Sequence, residues 1–219
     1  MAFGPQQPPS FGEVISPGAG ESCASRTAQQ KVARVAELRS VHAAFAWFRA
    51  QARELEDLQL EVTAIPAPPW GEVARSHWLK AQFERLGLSE VHQDELGNVF
   101  GIRPGTDANA PFFALSAHLD TVFPAGTSIT VVREGSKLYG PGISDNGSGI
   151  TALLAIAGAL RDSNIANSAP VLFIGNVGEE GEGNLRGMRH IFQQAKWLDS
   201  IGTLVVLDGA GTEIGRAHV

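Results

Sequence analysis

The chain has 219 residues, of which 43% are hydrophobic, and its 17 basic and 23 acidic side chains give a formal net charge of −6. This length supports one sizeable core and is short for two domains. No run of lysine or arginine indicates a surface for nucleic acid or for an anionic membrane, so neither is expected as a partner. Cys23 is the only cysteine, which excludes an internal disulfide and a cysteine-based zinc site.

The start of the chain differs in composition from the remainder. Residues 1–26 are rich in Pro, Gly, Ser and Gln, which predicts a disordered tail, whereas residues 27–219 are expected to belong to one globular domain. No basic segment followed by a long apolar core opens the chain, and the longest apolar stretch, 150–160, is too short to span a bilayer. With a single cysteine, the protein is therefore predicted to be soluble and cytoplasmic.

Hydrophobic periodicity predicts alternating helices and strands along the domain. Residues 27–63 carry apolar side chains at three- and four-residue steps, typical of one amphipathic helix or two, and 71–86 predict a further helix that Gly87 caps. Later segments predict two short strands about a turn at 96–98, strands over 111–119, 170–177 and 201–207, a hairpin within 121–138, and helices over 150–160 and 185–194. The three apolar strands have the composition of strands that are buried on both faces.

These three strands end in side chains that can bind a metal. His118 and Asp120 follow the first strand, Glu179 and Glu180 the second, and Asp208 the third. Ligands of open α/β sheets bind at the carboxyl ends of the strands, so these side chains are expected at one edge of the sheet. Each feature also has an ordinary alternative. The His-x-Asp spacing suits a hydrogen-bonded pair, and adjacent glutamates suit a solvated turn.

A glycine-rich loop, YGPGISDNGSG, precedes the helix over 150–160 and contains Asp145. Its four glycines and its proline predict that another group approaches the backbone closely. A phosphate-binding loop is excluded, because the required lysine followed by Ser or Thr is missing and Asp145 would repel phosphate. The loop suits a cation better, and the alternative is that Asp145 caps the following helix.

Together, these segments supply one histidine, several carboxylates and no cysteine. Such donors suit two divalent ions of borderline-to-hard character that share a bridging carboxylate. Two such ions can polarise a carbonyl and lower the pKa of a water molecule between them. A spare glutamate beside the ions can then act as a general base, which gives a reason for the adjacent Glu179 and Glu180.

Four motifs, in this order and at these intervals, carry a resemblance to a known family: SAHLDTV, GPGISDNGSG, GNVGEEGEG and VVLDG. The stretch 44–208 resembles the dizinc hydrolases of the aminoacylase and glutamate-carboxypeptidase type, which include tripeptide aminopeptidases and succinyl-diaminopimelate desuccinylase. The resemblance implies an α/β fold, a three-layer sandwich with a central mixed, mostly parallel sheet. It also implies hydrolysis of peptide or N-acyl amide bonds with zinc, or with cobalt or manganese.

The resemblance further implies a metal ligand set. His118 and Asp208 would bind one metal ion, Glu180 would bind the other, and Asp145 would bridge the two. The expected cofactors are therefore two divalent ions, zinc first among them.

The resemblance also implies catalytic roles. Glu179 would be the general base, and Asp120 would support the His118 site. The predicted function is the hydrolysis of small peptides by a metal-activated water. An N-acyl amino acid deacylase or desuccinylase is the alternative enzyme, and a non-catalytic metal-binding remnant is the alternative from another class. The remaining histidines of the domain match no motif and are expected to be surface or packing residues: His42, His77, His92 and His190.

The chain departs from the family pattern after Asp208. Relatives carry an inserted lid or dimerisation domain and a late histidine that completes the second metal site, and His218 is too close to Asp208 to be that ligand. We therefore expect the N-terminal part of a longer enzyme that is inactive or weakly active alone. The full-length form is expected to be a homodimer.

Overall fold

The structure, a computed structural model, describes residues 23–209. The predicted disordered tail lies outside these residues except for its last four, and so does His218. The chain divides into two compact units, residues 1–38 and 39–219. In the first unit the structure describes helix α1 (Cys23–Ala36), which begins before the start predicted at residue 27.

The second unit contains the elements predicted from residue 71 onward. Its described helices are α2 (Arg39–Ala50), α3 (Ala52–Ala64), α4 (Val73–Arg85), α5 (Gly147–Asp162), α6 (Arg186–Gln193) and α7 (Ala195–Leu198). Its described strands are β1 (Ser89–Gln93), β2 (Val99–Arg103), β3 (Phe112–His118), β4 (Val132–Glu134), β5 (Lys137–Tyr139), β6 (Val171–Asn176) and β7 (Ile201–Val206). No helix in the described part of the chain is long and apolar enough to cross a membrane.

The segment 27–63, predicted as one helix or two, belongs to three helices. Breaks at 37–38 and at Gln51 separate α1, α2 and α3. Helices α2 and α3 each contact α5, and Trp47 of α2 donates from Nε1 to the Asp162 carboxylate at 2.9 Å. A continuous helix over 39–64 would be about 39 Å long, which exceeds the length of the 16-residue α5. The break at Gln51 therefore lets both segments pack on the same helix.

Five described strands form a mixed sheet in the order β1-β2-β6-β3-β7, and β4 and β5 form a separate hairpin. Strand β3 pairs in parallel with β6 on one side and with β7 on the other. Strand β2 pairs antiparallel with β1 and β6, so four of the five strands run in one direction. The carboxyl ends of β3, β6 and β7 therefore meet at one edge of the sheet, as predicted.

Helices cover both faces of this sheet, and alternate strand residues divide between the two faces. On one face, Leu115 and Phe173 pack into a core with α3, α4 and α5. On the other face, Ala114 and Leu172 pack with α6 and α7. The architecture is a three-layer α/β sandwich around a mixed sheet, which confirms the predicted fold class.

Strand β7 differs from the prediction of a strand that is buried on both faces. Val205 is 38% exposed and Val206 is 58% exposed. Within residues 23–209 this strand pairs only with β3, so it lies at the edge of the described sheet. Its apolar composition predicted a strand correctly, but composition does not determine which position a strand takes in the sheet.

Truncation of Phe173 tests the position of the core. Phe173 is fully buried in β6, and its ring centroid lies 6.3 Å from that of Phe83. We expect Phe173→Ala to lower the free energy of unfolding by about 3–5 kcal/mol, because it leaves a cavity in a close-packed core. Phe113→Ala in β3 is the control. Phe113 is 39% exposed, so its truncation should lower the free energy of unfolding clearly less. Urea denaturation measures both losses, and equal values would contradict this core.

Candidate metal centre

The turn after β3 positions His118 and Asp120. Strand β3 ends at His118, and the amide of Leu119 donates to the carbonyl of Asn176 at the end of β6, 2.8 Å away. This bond continues the pairing of the two parallel strands past the last residue of β3. His118 is 2% exposed and Asp120 is fully buried. The predicted pair thus lies at the carboxyl edge of the sheet.

The carboxylate of Asp120 holds the loop that carries the two glutamates. Its Oδ1 accepts from the amide of Glu179 at 2.9 Å, and its Oδ2 accepts from the amide of Glu180 at 2.8 Å. Nδ1 of His118 lies 3.1 Å from the Asp120 carbonyl oxygen and 3.6 Å from the carboxylate. Burial alone raises the pKa of Asp120, but His118 and the two amides outweigh burial and lower it below its usual value. Asp120 therefore aligns the glutamate loop as well as His118.

Two further carboxylates face the other nitrogen of the His118 ring. Nε2 lies 2.9 Å from Oδ1 of Asp145 and 3.4 Å from Oδ1 of Asp208. Burial alone lowers the pKa of His118, but Asp120, Asp145 and Asp208 together raise it to about 9. The negative charge that stabilises an imidazolium also attracts a metal ion, which a neutral imidazole can bind.

Asn146 joins the glycine-rich loop to the end of β7. Its Oδ1 accepts from the amide of Gly149 at 3.0 Å, and its Nδ2 donates to the carbonyl of Leu207 at 3.0 Å. Asn146 is therefore the N-cap of α5, and the interpretation of Asp145 as the cap is wrong. The side chain of Asn146 can serve both neighbours because an amide accepts and donates. Asp145 faces His118 instead.

A sharp change of direction after β6 brings Glu179 and Glu180 to the same edge. Gly178 has a φ of 61°, and a Cβ at this position would collide with the guanidinium of Arg186. Burial raises the pKa values of both glutamates, and the neighbouring carboxylates add to this effect while the charge of His118 opposes it. A carboxylate whose pKa is raised accepts a proton more readily, which suits a general base.

The structure brings all the predicted site residues together. Among residues 23–209, two overlapping groups share His118 and have potential ligand atoms within 4.8 Å of one another: one includes Asp145 and Asp208, the other Glu179 and Glu180. Nitrogen and oxygen donors without sulfur fit a divalent cation of borderline or hard character. A cation at this position also reduces the mutual repulsion of the carboxylates. The donor set therefore fits a metal site.

The other described histidines lie elsewhere. His92 stacks on Phe100 with ring centroids 4.9 Å apart, and Nε2 of His190 is 2.9 Å from a carboxylate oxygen of Glu95. Within residues 23–209, neither these two nor His42 and His77 belong to a potential metal-binding group.

Three polar residues that shape the site were missed in the sequence: Arg75, Asn98 and Asn146. Arg75 is 1% exposed, and its Nη1 donates to the carbonyl of Leu119 at 2.8 Å. Asn98 is fully buried, and its Oδ1 accepts from the amide of Val177 at 3.0 Å, just before the glutamate loop. The position of Asn146 before an apolar helix was a usable capping signal. No local signal marks Arg75, whose pKa burial lowers to about 10 against the opposing effect of Asp120.

Replacing Asp120 tests its hold on the glutamate loop. An asparagine offers only one acceptor oxygen and places an NH₂ group against an amide donor, so one of the two bonds is lost. We expect Asp120→Asn to weaken zinc binding by about 10–100-fold. Asp107→Asn is the control, because exposed Asp107 also accepts a backbone amide, that of Asn109 at 3.0 Å. Calorimetric zinc titration measures both variants, and equal affinities would contradict the role of Asp120.

Comparisons with known proteins show the family to which the chain belongs and several relatives. A model of Peptidase family M28 matches residues 98–217. An N-carbamoyl-L-amino-acid amidohydrolase from Paenarthrobacter aurescens is 30% identical over 139 residues, 62% of this chain and 29% of that protein. A protein from Staphylococcus aureus, named "Probable succinyl-diaminopimelate desuccinylase", is 25% identical over 178 residues, 75% of this chain and 42% of that protein. The crystal structure of a Staphylococcus aureus tripeptidase has a TM-score of 0.60 and 24% identity, over 73% of this chain and 44% of that one.

The chain spans less than half the length of each of these relatives. The similarity to the tripeptidase structure shows the fold, a mixed sheet between helices. Peptidase family M28 is of the zinc exopeptidase type, whose members are metal-dependent, and the match confirms the resemblance inferred from the four motifs. Because the family model matches more than half of the 219 residues, the chain belongs to Peptidase family M28.

Proposed function

We propose that the protein hydrolyses amide bonds of small peptides with two divalent metal ions, of which zinc suits the donors best. The observation that carries this proposal is the pair of overlapping donor groups that share His118 at the carboxyl edge of the sheet. Cobalt and manganese suit similar donors. Membership of a peptidase family and similarity to a tripeptidase support peptides as substrates.

The proposal assigns the ligands as the resemblance implies. His118 and Asp208 would hold one ion, Glu180 would hold the other, and Asp145 would be a ligand that the two share. The Oδ1 atoms of Asp145 and Asp208 lie 2.9 and 3.4 Å from Nε2 of His118, which supports this assignment. Bound ions of this kind polarise a carbonyl and lower the pKa of a water molecule. The resemblance implies one more histidine ligand for the Glu180 ion, from a later segment of the full-length form.

Glu179 is the general base in the proposed reaction. Burial raises the pKa of its carboxyl, the charge of His118 opposes this, and the charges of Asp208, Asp120 and Asp145 add to it. The carboxylate accepts a proton from the attacking water and later gives it to the nitrogen of the leaving amine. The Asp120 carboxylate accepts the amide of Glu179 at 2.9 Å and so positions Glu179. Its place beside His118 and the raised pKa of its carboxyl support this role.

Hydrolysis of an N-acyl amino acid is the second candidate. One relative is named an N-carbamoyl-L-amino-acid amidohydrolase and another a desuccinylase, which favours this alternative. Both candidate reactions cleave an amide bond, so the same ligands and the same base serve either one. The substrates differ in the groups that flank the reacting amide.

We also propose the domain to which the chain belongs, its oligomeric state and its compartment. Residues 27–219 are the N-terminal part of a catalytic domain whose full-length form is a homodimer. The single cysteine supports a reducing compartment, the cytoplasm. The exposed valines of β7 support contact with a further protein segment.

Metal content tests the assignment of Asp145. We expect Asp145→Asn to bind zinc at least about tenfold more weakly, because the change weakens a ligand that both ions share. Asp199→Asn is the control, since Asp199 is exposed in the segment before β7. Atomic emission spectrometry after gel filtration gives the zinc content of both variants. Full occupancy in Asp145→Asn would contradict the bridging role.

Turnover separates the general base from the ligands. We expect Glu179→Gln in the full-length form to keep its zinc and to lose about 10²–10⁴-fold in kcat, because glutamine cannot accept the proton. The assay uses tripeptides, dipeptides and N-acyl amino acids as substrates, with Glu134→Gln, an exposed change in the β4–β5 hairpin, as the control. Unchanged turnover in Glu179→Gln would refute the base. One weakly bound ion and no turnover in the protein without substitutions would favour the alternative of a non-catalytic metal-binding remnant.

A further inference from the structure

A buried ion pair joins the start of α6 to the segment before α4. Nη2 of Arg186, the first residue of α6, donates to Oε2 of Glu72 at 2.7 Å. Glu72 is 3% exposed and the side chain of Arg186 is 13% exposed, so little water screens the pair. Within residues 23–209, neither residue belongs to a potential metal-binding group. The pair is therefore separate from the candidate ligands.

Trp70 contacts both members of this pair. Its amide donates to Oε1 of Glu72 at 3.2 Å, and the guanidinium carbon of Arg186 lies 4.2 Å from the centre of its indole ring. A guanidinium over an indole face is attracted by the negative face of the ring. Arg186 thus has a carboxylate and an aromatic ring as partners, and together they restrict where its side chain can lie.

Arg186 also closes the base of the glutamate loop. Its amide donates to the carbonyl of Gly178 at 3.0 Å, and the amide of Gly187 donates to the carbonyl of Val177 at 3.0 Å. The side chain of Arg186 lies so close to Gly178 that a Cβ there would collide with it. Because Glu179 follows Gly178 directly, the position of Arg186 determines where the backbone turns toward the two glutamates.

Neither charge attraction nor stability alone accounts for this pair. A cation close to Glu179 repels a divalent ion, so the charge of Arg186 works against metal binding. Apolar residues of similar volume often replace a buried ion pair without loss of stability. What apolar residues lack is directional bonding, which here links Trp70, Glu72 and the base of the loop in one arrangement. The pair therefore serves the geometry of the loop.

We infer that Arg186, held by Glu72 and Trp70, is a positioning residue that orients the glutamate loop toward the metal centre. The inference rests on the proposed amide hydrolysis and deepens it, because it names residues that act through the backbone on the proposed ligand and base. Asp120 holds the amides of the two glutamates at 2.9 and 2.8 Å, and Arg186 holds the base of the same loop. The loop thus has two anchors on different parts of the fold.

Zinc affinity tests this role. We expect Arg186→Gln to raise the Kd for zinc about tenfold, as is typical when a group that orients metal ligands is removed. The direction of the change is informative, because loss of a positive charge by itself would lower the Kd for a cation. Isothermal titration calorimetry measures the Kd, and circular dichroism checks that the variant is folded.

Arg103→Gln is the matched control. Arg103 also donates two hydrogen bonds from its side chain, to Oδ1 of Asn167 at 2.8 Å and to the carbonyl of Ile165 at 2.7 Å. It pairs with Val171 at the start of β6, so it lies at the opposite edge of the sheet. Its replacement should leave the Kd for zinc unchanged.

A paired variant keeps the test valid if Arg186→Gln does not fold. Glu72→Gln combined with Arg186→Met removes both charges, so no buried carboxylate is left without its partner. This variant should also raise the Kd for zinc about tenfold, because the directional link to the loop is lost.

A change of background separates positioning from a general loosening of the structure. When Glu179→Gln and Glu180→Gln are already present, the loop offers no carboxylate to orient. Arg186→Gln should then have no further effect on the Kd for zinc, because the two changes act on one interaction. A full tenfold effect in this background would show that Arg186 does not act through the glutamates.

Two further results would overturn the positioning role. One is an unchanged or lower Kd in both the Arg186→Gln variant and the paired variant, and the other is an equal rise in Arg103→Gln. Either result leaves the proposed metal-dependent function standing, because the protein without substitutions still binds zinc. Absence of zinc binding by that protein would instead contradict the metal centre on which both proposals depend.

Discussion

The rest of the site depends on the carboxylate of Asp120. It is fully buried after the end of β3, and its two oxygens accept the amides of Glu179 and Glu180 after the end of β6. A buried carboxylate without such donors would be costly, so the turn and the loop stabilise each other. Because these bonds join the ends of two neighbouring parallel strands, the register of the sheet determines where the two glutamates lie.

An excess of negative charge at one edge of the sheet explains the electrostatics of the site. The pKa of His118 is raised to about 9 by three aspartates, against the effect of burial. Burial raises the pKa of Glu180, and the charge of Asp145 raises it further. Both pKa values are raised, so His118 and Glu180 each hold a proton more firmly than the same side chain does in water. A divalent cation satisfies the same excess with donors that are already oriented.

The metal centre shares its backbone with a cleft beside Glu180 that is lined by Pro68, Pro69 and Val122. Asp120 binds the glutamate loop, and Val122, two residues later, lines this cleft. The relatives include a tripeptidase, a desuccinylase and an amidohydrolase, so related chains carry different substrate names. One fold can carry different substrate specificities, because specificity depends on the groups around the site.

The sequence by itself determined the fold class, and it predicted that the candidate site residues meet at one edge of the sheet, because apolar strands followed by His, Asp and Glu are local patterns that a parallel sheet brings together. It overestimated the burial of β7, and the alternative that Asp145 caps α5 was wrong, because the neighbouring Asn146 is the cap. Only the tertiary structure decided that Arg75 binds the turn after β3, and that Pro68 and Val122 face one cleft. Contacts of this kind join residues far apart in the chain, so they depend on packing and leave no periodic signal in the sequence.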